Sequence, residues 1–157
     1  WSNCVCLMEH YKNISFVSSK LCSGKSTLAK GYIETIKPFY STVEYIEISD
    51  IVRRAMKSDN REELQKGEHL DALIVDCIAS AAACTDHVVV GGARQVSIVD
   101  KFPKASYFWM EVPEEVRYER YQNSEKDLDL SLEGFAKANE RDVKLGIEEV
   151  KQYILNK

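Results

Sequence analysis

The residues from Ser18 to Thr27, SSKLCSGKST, constrain the fold of this chain more than any other stretch. An apolar run typical of a buried strand, 14–17, comes directly before them, and a helical pattern opens at Ser26. A strand, a tight loop and a helix in that order are the setting in which the pattern G-x-x-x-x-G-K-[ST] binds phosphate. The chain meets this pattern at every fixed position except the first, where Ser19 replaces glycine. The sequence therefore predicts a phosphate-binding loop.

Each part of the loop has a chemical role in this interpretation. Backbone N–H groups of the loop and of the first helical turn form a concave anion site. Gly24 lets the backbone approach the phosphates because it has no Cβ atom. Lys25 supplies a positive charge for the β- and γ-phosphates, and the Ser26 hydroxyl can ligate the magnesium ion that bridges them. We therefore expect ATP and Mg²⁺ as cofactors, with the nucleotide-binding residues Lys20, Leu21, Cys22, Ser23, Gly24, Lys25, Ser26 and Thr27.

Strand and helix patterns alternate along the rest of the chain. We expect strands near 14–18, 43–48, 87–92 and 105–112, and a short final strand at 153–155. Helices are expected near 25–37, 50–56, 69–84 and 96–100, then from Pro113 at a first helical position, and finally from Ser131. Ser49 and Asp50 are expected to cap the second of these helices. The alternation predicts a single domain with a three-layer, doubly wound α/β fold around a parallel sheet.

Composition excludes several classes of protein. The chain has 157 residues, enough for one domain with a core, and its formal net charge of −4 argues against general adhesion to nucleic acids or membranes. No stretch is long and apolar enough to cross a bilayer, and no secretory signal is evident. The five cysteines lack a paired spacing, and Cys4-x-Cys6 has no partners for zinc. We expect a cytoplasmic protein (in the host cytoplasm if the chain is viral), monomeric or homodimeric, without a membrane partner.

Several segments resemble the nucleoside monophosphate kinase group of P-loop kinases, which have an adenylate kinase-like fold. The loop resembles the Lys-x-x-Ser-Gly-Lys form found in the dephospho-coenzyme A kinase, phosphomevalonate kinase and phage deoxynucleotide kinase branches. Residues 49–53, SDIVR, are similar to the family's Gly-Asp-apolar-apolar-Arg, and residues 91–95, GGARQ, to its Gly-x-x-Arg turn. Residues 112–120 resemble the passage into the family's lid, and residues 140–142 resemble the segment that returns from it. The resemblance covers residues 14–157 and implies a P-loop NTPase fold of the nucleoside monophosphate kinase-like type.

The resemblance also implies roles for charged side chains. Arginines suit these roles because they are permanently charged, planar and bidentate. The implied catalytic residues are Lys25, Asp50, Arg94 and Arg120. The implied substrate-binding residues are Asp50, Arg53, Arg94, Arg117 and Arg141, and the implied metal ligands are Ser26 and Asp50. Arg53 and Arg94 would hold the acceptor phosphate in a segment that spans about 50–72, while Arg117, Arg120 and Arg141 would close a short lid, about 120–141, over the donor.

One departure from the family's pattern and two open alternatives accompany these assignments. Many members of the family place an acidic residue just before the Gly-x-x-Arg turn, and here that position is Val90. Asp50 could hold magnesium-bound water or accept a proton from a substrate hydroxyl. Surface ion pairs with nearby glutamates explain Arg117, Arg120 and Arg141 equally well.

The leading prediction is a kinase that moves the γ-phosphate of ATP to a phosphorylated small molecule, with a (deoxy)nucleoside monophosphate as the favoured acceptor. Phosphomevalonate and dephospho-coenzyme A are open as acceptors. A phage-type kinase that phosphorylates 5-hydroxymethyluracil in DNA is an alternative, the only one with DNA as a partner, and Asp50 would then be the base. Another alternative is a nucleotide-binding regulatory module without kinase activity, which the pair Arg53 and Arg94 disfavours because a switch has no acceptor to hold.

Overall fold

A computed structural model describes residues 13–56, 70–124 and 129–157. Within these ranges lie four strands: β1 (Ile14–Ser19), β2 (Val43–Glu47), β3 (His87–Gly91) and β4 (Ser106–Met110). Seven α-helices lie there as well: α1 (Lys25–Ile36), α2 (Ile48–Met56), α3 (Asp71–Cys84), α4 (Val96–Val99), α5 (Glu114–Gln122), α6 (Leu132–Leu145) and α7 (Ile147–Leu155). A 3-10 turn, Lys37–Phe39, follows α1 and contains Pro38, so the first helix ends close to the predicted place.

The four strands form one parallel sheet in the order β2-β3-β1-β4. Phe16 of β1 lies opposite Val90 on one side and Tyr107 on the other, and Val90 also lies opposite Ile46. Parallel neighbours require crossover connections, and helices supply them here. The predicted α/β class with a parallel sheet is confirmed.

Helices cover both faces of this sheet. On one face, Phe16 and Val90 belong to a buried cluster with apolar residues of α2, α3 and α4. On the other face, Val17 and Val89 pack with Ala29 of α1. Because both faces are covered, β1 and β3 are buried along nearly their whole length, which suits the apolar residues at 16–17 and 88–90.

The C-terminal part of the chain differs from the prediction. Residues 153–155 form no strand, because they are the last turn of α7. Its buried residues Ile147, Val150 and Ile154 recur at helical spacing, and α7 packs against β4. The long helix predicted from Ser131 is divided at Gly146, whose φ of +113° ends α6 as a C-terminal glycine commonly does. The predicted start is confirmed, since the Ser131 hydroxyl accepts a hydrogen bond from the Gly134 N–H at 3.1 Å.

The predicted cap of the second helix is also wrong. Helix α2 begins at Ile48, directly after β2, so Asp50 lies inside its first turn and neither Ser49 nor Asp50 is the N-cap. Smaller differences concern strand and helix ends: β4 is shorter than predicted, and Pro113 precedes α5 instead of occupying its first position.

Some predictions fall on parts of the chain outside the described residues. These are the segment with Cys4 and Cys6, most of the implied acceptor segment after 56, the predicted helix start at His69, and the middle of the loop predicted at 122–129. Among the described helices, none combines the length and apolar character needed to cross a membrane.

Candidate functional site

The loop between β1 and α1 has the backbone geometry expected of an anion site. Cys22 has a φ of +60° and Gly24 a φ of +83°, both in the left-handed region. Left-handed residues in a turn are characteristic of nests, in which successive N–H groups converge on an anion. Helix α1 begins at Lys25, directly after Gly24, and no side chain caps it. The unpaired N–H groups of its first turn are therefore available beside the loop.

A cavity of about 630 Å³ opens over this loop. It is lined by every predicted nucleotide-binding residue, 20–27, and by residues that follow the carboxyl ends of β2 and β3. Of the predicted charged residues, it brings together Lys25, Asp50, Arg53, Arg94 and Arg141. Ligands of open α/β proteins bind at this edge of the sheet, which agrees with the position of the cavity.

The cavity also contains an acidic residue that the sequence analysis did not single out. Glu47, the last residue of β2, accepts a hydrogen bond from the Lys25 ammonium, with 2.7 Å between Nζ and Oε1. Its second oxygen, Oε2, accepts a hydrogen bond from the Tyr45 hydroxyl at 2.5 Å. The side chains of Lys25 and Glu47 are only 16% and 17% exposed, so this ion pair is shielded from bulk water.

Electrostatics within this cluster follow from burial and pairing. Burial lowers the pKa of Lys25, and the nearby Arg94 lowers it further, while Glu47 opposes both effects. For Glu47, burial alone would raise the pKa, but the Lys25 charge and the hydrogen bonds from Lys25 and Tyr45 outweigh it and hold the pKa below its usual value. Burial and the Glu47 carboxylate raise the pKa of Tyr45, which stays a protonated donor. Glu47 is therefore a carboxylate in this structure.

Gly91 and Gly92 make room for this cluster. A Cβ atom at Gly92 would collide with the Glu47 carboxylate and lie 3.2 Å from Lys25 Nζ. A Cβ atom at Gly91 would collide with the Tyr45 hydroxyl and lie 2.9 Å from Glu47 Oε2. Gly92 also has a φ of +88°, which side chains rarely adopt. The absence of side chains at these two glycines thus leaves the space that the Glu47 carboxylate occupies.

Arg94 is held in the cavity by two contacts. Its Nε donates to Asp142 Oδ1 of α6 at 2.8 Å, and its Nη1 donates to the Gly92 carbonyl at 3.2 Å. These contacts leave other guanidinium N–H donors for a ligand. Arg141, the neighbour of Asp142, is half-buried and lines the same cavity. The turn after β3 and helix α6 therefore bring two arginines to the same cavity as the loop.

Asp50 and Arg53 occupy the cavity wall formed by α2. Arg53 Nη1 lies 2.5 Å from Asp50 Oδ1, and both side chains are substantially exposed. The pair is separated by three residues on one helix, a spacing that brings side chains together. Both residues thus reach the cavity, with Asp50 engaged by an arginine in this structure.

Arg117 is not in the cavity, although it was predicted to close over the donor. It is buried, and its Nη1 donates to the Leu21 carbonyl at 3.1 Å and to Asn139 Oδ1 at 2.8 Å. Its guanidinium also lies 5.4 Å from the ring centre of Phe135. Arg117 supports the loop between β1 and α1, because it links α5 to this loop and to α6.

Arg120 lies outside the cavity as well, but close to the loop. It is exposed, and its Nη1 would lie 3.0 Å from a Cβ atom at Gly24. It lines a second, largely apolar groove of about 940 Å³, together with Thr27, Tyr32 and Phe108. Arg117 and Arg120 are therefore separated by the fold, even though they lie three residues apart on α5.

The oxygen donors in the cavity fit a magnesium ion. Ser26 and Asp50 offer a hydroxyl and a carboxylate there, and Glu47 adds a second carboxylate. In the part of the chain that the structure describes, no group of three or more His, Cys, Asp or Glu residues could hold a metal by itself. Magnesium is commonly bound by one or two carboxylates together with substrate phosphates. The residues present therefore suit a magnesium ion that arrives with a phosphorylated ligand.

Fold and site together define an α/β protein with a polar, arginine-rich cavity at the carboxyl ends of parallel strands. A comparison of the chain with protein-family models finds no match, and a comparison with curated proteins finds none either. Inferences about its function therefore depend on the geometry of the cavity and on the resemblance described above.

Proposed function

We propose that the protein is a kinase that transfers the γ-phosphate of ATP to a phosphorylated small molecule, with a (deoxy)nucleoside monophosphate as the favoured acceptor. One observation carries the proposal. A single cavity is lined both by the predicted phosphate-binding loop and by Arg53, Arg94 and Arg141. Such a cavity has places for two phosphorylated ligands, a donor on the loop and an acceptor on the arginines.

The donor site is formed by the loop. Its backbone N–H groups and the N-terminus of α1 would bind the β- and γ-phosphates, and Lys25 would neutralise part of their charge. Ser26 and Asp50 are the proposed ligands of Mg²⁺, which reduces the charge on the phosphates when it is bound. Phosphoryl transfer depends mainly on positioning and on neutralising the charge of the transferred group. The hydrogen bond from Arg117 to the Leu21 carbonyl helps to position the loop, which serves the first of these needs.

The acceptor site is formed by arginines from separate elements. Arg94 is oriented by Asp142 and by the Gly92 carbonyl before any ligand binds. Arg53 and Arg141 approach from α2 and α6. Bringing two polyphosphates together requires cations that offset their repulsion, and guanidinium groups do so with bidentate geometry. A nucleotide switch needs no such second site, which favours the kinase over the regulatory alternative.

Transfer of label from γ-labelled ATP tests the proposal. The protein is incubated with Mg²⁺ and with nucleoside monophosphates, phosphomevalonate, dephospho-coenzyme A or DNA that contains 5-hydroxymethyluracil. Label on a monophosphate supports the proposal, and label on DNA supports the phage-type alternative. Bound nucleotide without any transfer supports the regulatory module.

The variant Arg94→Ala separates the acceptor site from the donor site. Loss of its charged hydrogen bonds should cost about 2–4 kcal/mol of transition-state stabilisation, or roughly 30- to 1,000-fold in kcat/KM for the acceptor. ATP binding should change by less than about threefold. Arg54→Ala is the matched control, because Arg54 is an exposed arginine of α2 that does not line the cavity. Loss of ATP binding in the Arg94 variant would show that Arg94 belongs to the donor site.

A further inference from the structure

The shielded ion pair between Lys25 and Glu47 bears on how a nucleotide enters the cavity. We propose that Glu47 is a divalent-cation ligand of this site, and that its pairing with Lys25 makes nucleotide binding depend on Mg²⁺. The inference rests on the proposed nucleotide site, and it concerns a residue to which neither the motif nor the resemblance assigns a role.

Lys25 has two possible partners that compete for it. In this structure its ammonium lies 2.7 Å from Glu47 Oε1. A bound nucleotide needs the same ammonium for its phosphates. When Lys25 turns to the phosphates, Glu47 keeps the hydrogen bond from Tyr45 and the charge of the nearby Arg94, but no cation is bonded to it directly. A largely buried carboxylate without a cation is unfavourable, so Lys25 leaves readily only if another cation takes its place.

The position of Glu47 makes a magnesium ion the natural replacement. Tyr45, which donates to Glu47, lines the same cavity as Ser26, the proposed magnesium ligand. Carboxylate and hydroxyl oxygens are ligands that magnesium prefers. The other carboxylates in the cavity keep their own partners, since Asp142 pairs with Arg94 and Asp50 with Arg53. Glu47 is therefore the carboxylate that loses its paired cation, Lys25, when a nucleotide binds.

The fold explains why this acid lies on β2. Val90, at the end of β3, is fully buried in the core, so no side chain from that position reaches the cavity. Glu47 lies opposite Gly91 in the sheet register, one position further along. Because Gly91 and Gly92 lack side chains, the carboxylate can lie across the end of β3. An acidic residue therefore lies at this edge of the sheet, but it is Glu47 at the end of β2 and not a residue at the end of β3.

Linkage turns this geometry into a measurable effect. If Mg²⁺ compensates Glu47 when Lys25 leaves, then Mg²⁺ and nucleotide strengthen each other's binding by the same factor. The Glu47→Gln variant keeps the size of the side chain and removes its charge. Lys25 is then free for the phosphates, so this variant should bind nucleotide more tightly than the wild type without Mg²⁺. Its affinity for the nucleotide should also increase less than that of the wild type when Mg²⁺ is added.

The test measures the dissociation constant of ADP by titration calorimetry, once with excess Mg²⁺ and once with EDTA. For the wild type we expect Mg²⁺ to tighten ADP binding by about 10- to 100-fold. For Glu47→Gln the factor should fall below about threefold, chiefly because binding in EDTA improves. Glu44→Gln is the matched control, because Glu44 lies on the same strand, is exposed and contacts Thr85 instead of the cavity. It should behave like the wild type.

Other outcomes overturn the inference in distinguishable ways. An unchanged Mg²⁺ factor in Glu47→Gln, or equal weakening with and without Mg²⁺, shows that Glu47 only supports the structure. If the wild type binds ADP equally well with and without Mg²⁺, the proposed role of Glu47 as a cation ligand is wrong, but the proposed nucleotide site stands. If the wild type does not bind ADP at all, both the nucleotide site and the cation role of Glu47 are contradicted. Thermal unfolding checks that the Glu47→Gln variant is folded. If it is not, Glu47→Asp provides the test. This variant keeps the charge and should retain part of the increase in ADP affinity that Mg²⁺ causes.

Discussion

Replacement of Arg117 by methionine separates a structural role from a ligand-binding role. The resemblance assigned Arg117 to the donor, whereas the structure buries it beneath the loop, 6% exposed. Methionine keeps much of the apolar stem and removes the guanidinium. The Leu21 carbonyl and Asn139 Oδ1 would each lose a charged donor, and Phe135 would lose the cation above its ring. We therefore expect Arg117→Met to lower the stability of the whole domain.

The size of this effect follows from the contacts. Each hydrogen bond from a charged donor contributes about 1.5–3 kcal/mol, and a cation over an aromatic ring about 0.5–2 kcal/mol. Part of the loss is offset, because the buried Arg117 Nε has no partner among the described residues and its desolvation cost disappears in the variant. The net decrease in the free energy of unfolding should be about 2–4 kcal/mol. For a domain of this size, that lowers Tm by roughly 5–15 °C.

Urea and thermal unfolding measure this effect. The control is Arg120→Met, an exposed arginine on the same helix, which should change the free energy of unfolding by less than about 0.5 kcal/mol. A double-mutant cycle with Asn139→Leu should give a coupling energy of about 1–2 kcal/mol, because the two side chains contact each other directly. If Arg117→Met is as stable as the wild type but no longer binds nucleotide, the reasoning is refuted, and Arg117 contacts the donor nucleotide.

Three further variants test other parts of the structure. Burial lowers the pKa of His87, whose Nε2 lies 2.8 Å from the Ser15 hydroxyl, so the unfolded state binds more protons below about pH 6.5. Stability should therefore fall from about pH 8 to about pH 5, and urea unfolding of His87→Gln should show a smaller fall. Gly92→Ala should lose about 1–3 kcal/mol in thermal unfolding because of its positive φ and the collision with Glu47, whereas Gly31→Ala in α1, where a Cβ meets nothing within 4 Å, should lose none. Asp142→Asn should raise the acceptor KM about 3- to 10-fold by loosening Arg94, at unchanged ADP affinity; an unchanged KM would show that the pair does not position Arg94.

The general location of the site could be predicted from the sequence because a parallel sheet gathers its strand ends at one edge. The loop, Asp50 and Arg94 each follow a predicted strand, and the three meet where those strands end. Glu47 carried the same signal, since it ends β2. It was missed because the predicted strand extended through Ile48, which placed Glu47 inside the strand and made Asp50 the first charged residue beyond it.

Other predictions failed where local sequence does not decide the structure. Tyr153, Ile154 and Leu155 have a composition that suits a strand, but a run this short does not distinguish a strand from a helix turn. The wider spacing of Ile147, Val150 and Ile154 is helical, and Gly146 allows a new helix to begin.

The roles of the two α5 arginines depend on a neighbouring element, which no local pattern reveals. Arg117 and Arg120 lie one turn apart on α5, yet one is buried and the other exposed. Helix α6 makes the difference, because its Asn139 and Phe135 cover Arg117. From spacing alone, a ligand-binding arginine and a loop-supporting arginine are indistinguishable.

The cavity reconciles an acidic chain with a site that would bind anions. Several cations that line it each pair with a carboxylate: Lys20–Glu148, Lys25–Glu47, Arg53–Asp50 and Arg94–Asp142. This pairing offsets repulsion among the cations and fixes their side chains before a ligand arrives. At Lys25, an incoming phosphate replaces the Glu47 carboxylate, whereas Arg94 has other guanidinium donors for a ligand while it stays bonded to Asp142. Because these side chains are already ordered in the free protein, less conformational entropy is lost when a ligand binds them. At Lys25, selectivity arises because a ligand must compete with the Glu47 carboxylate.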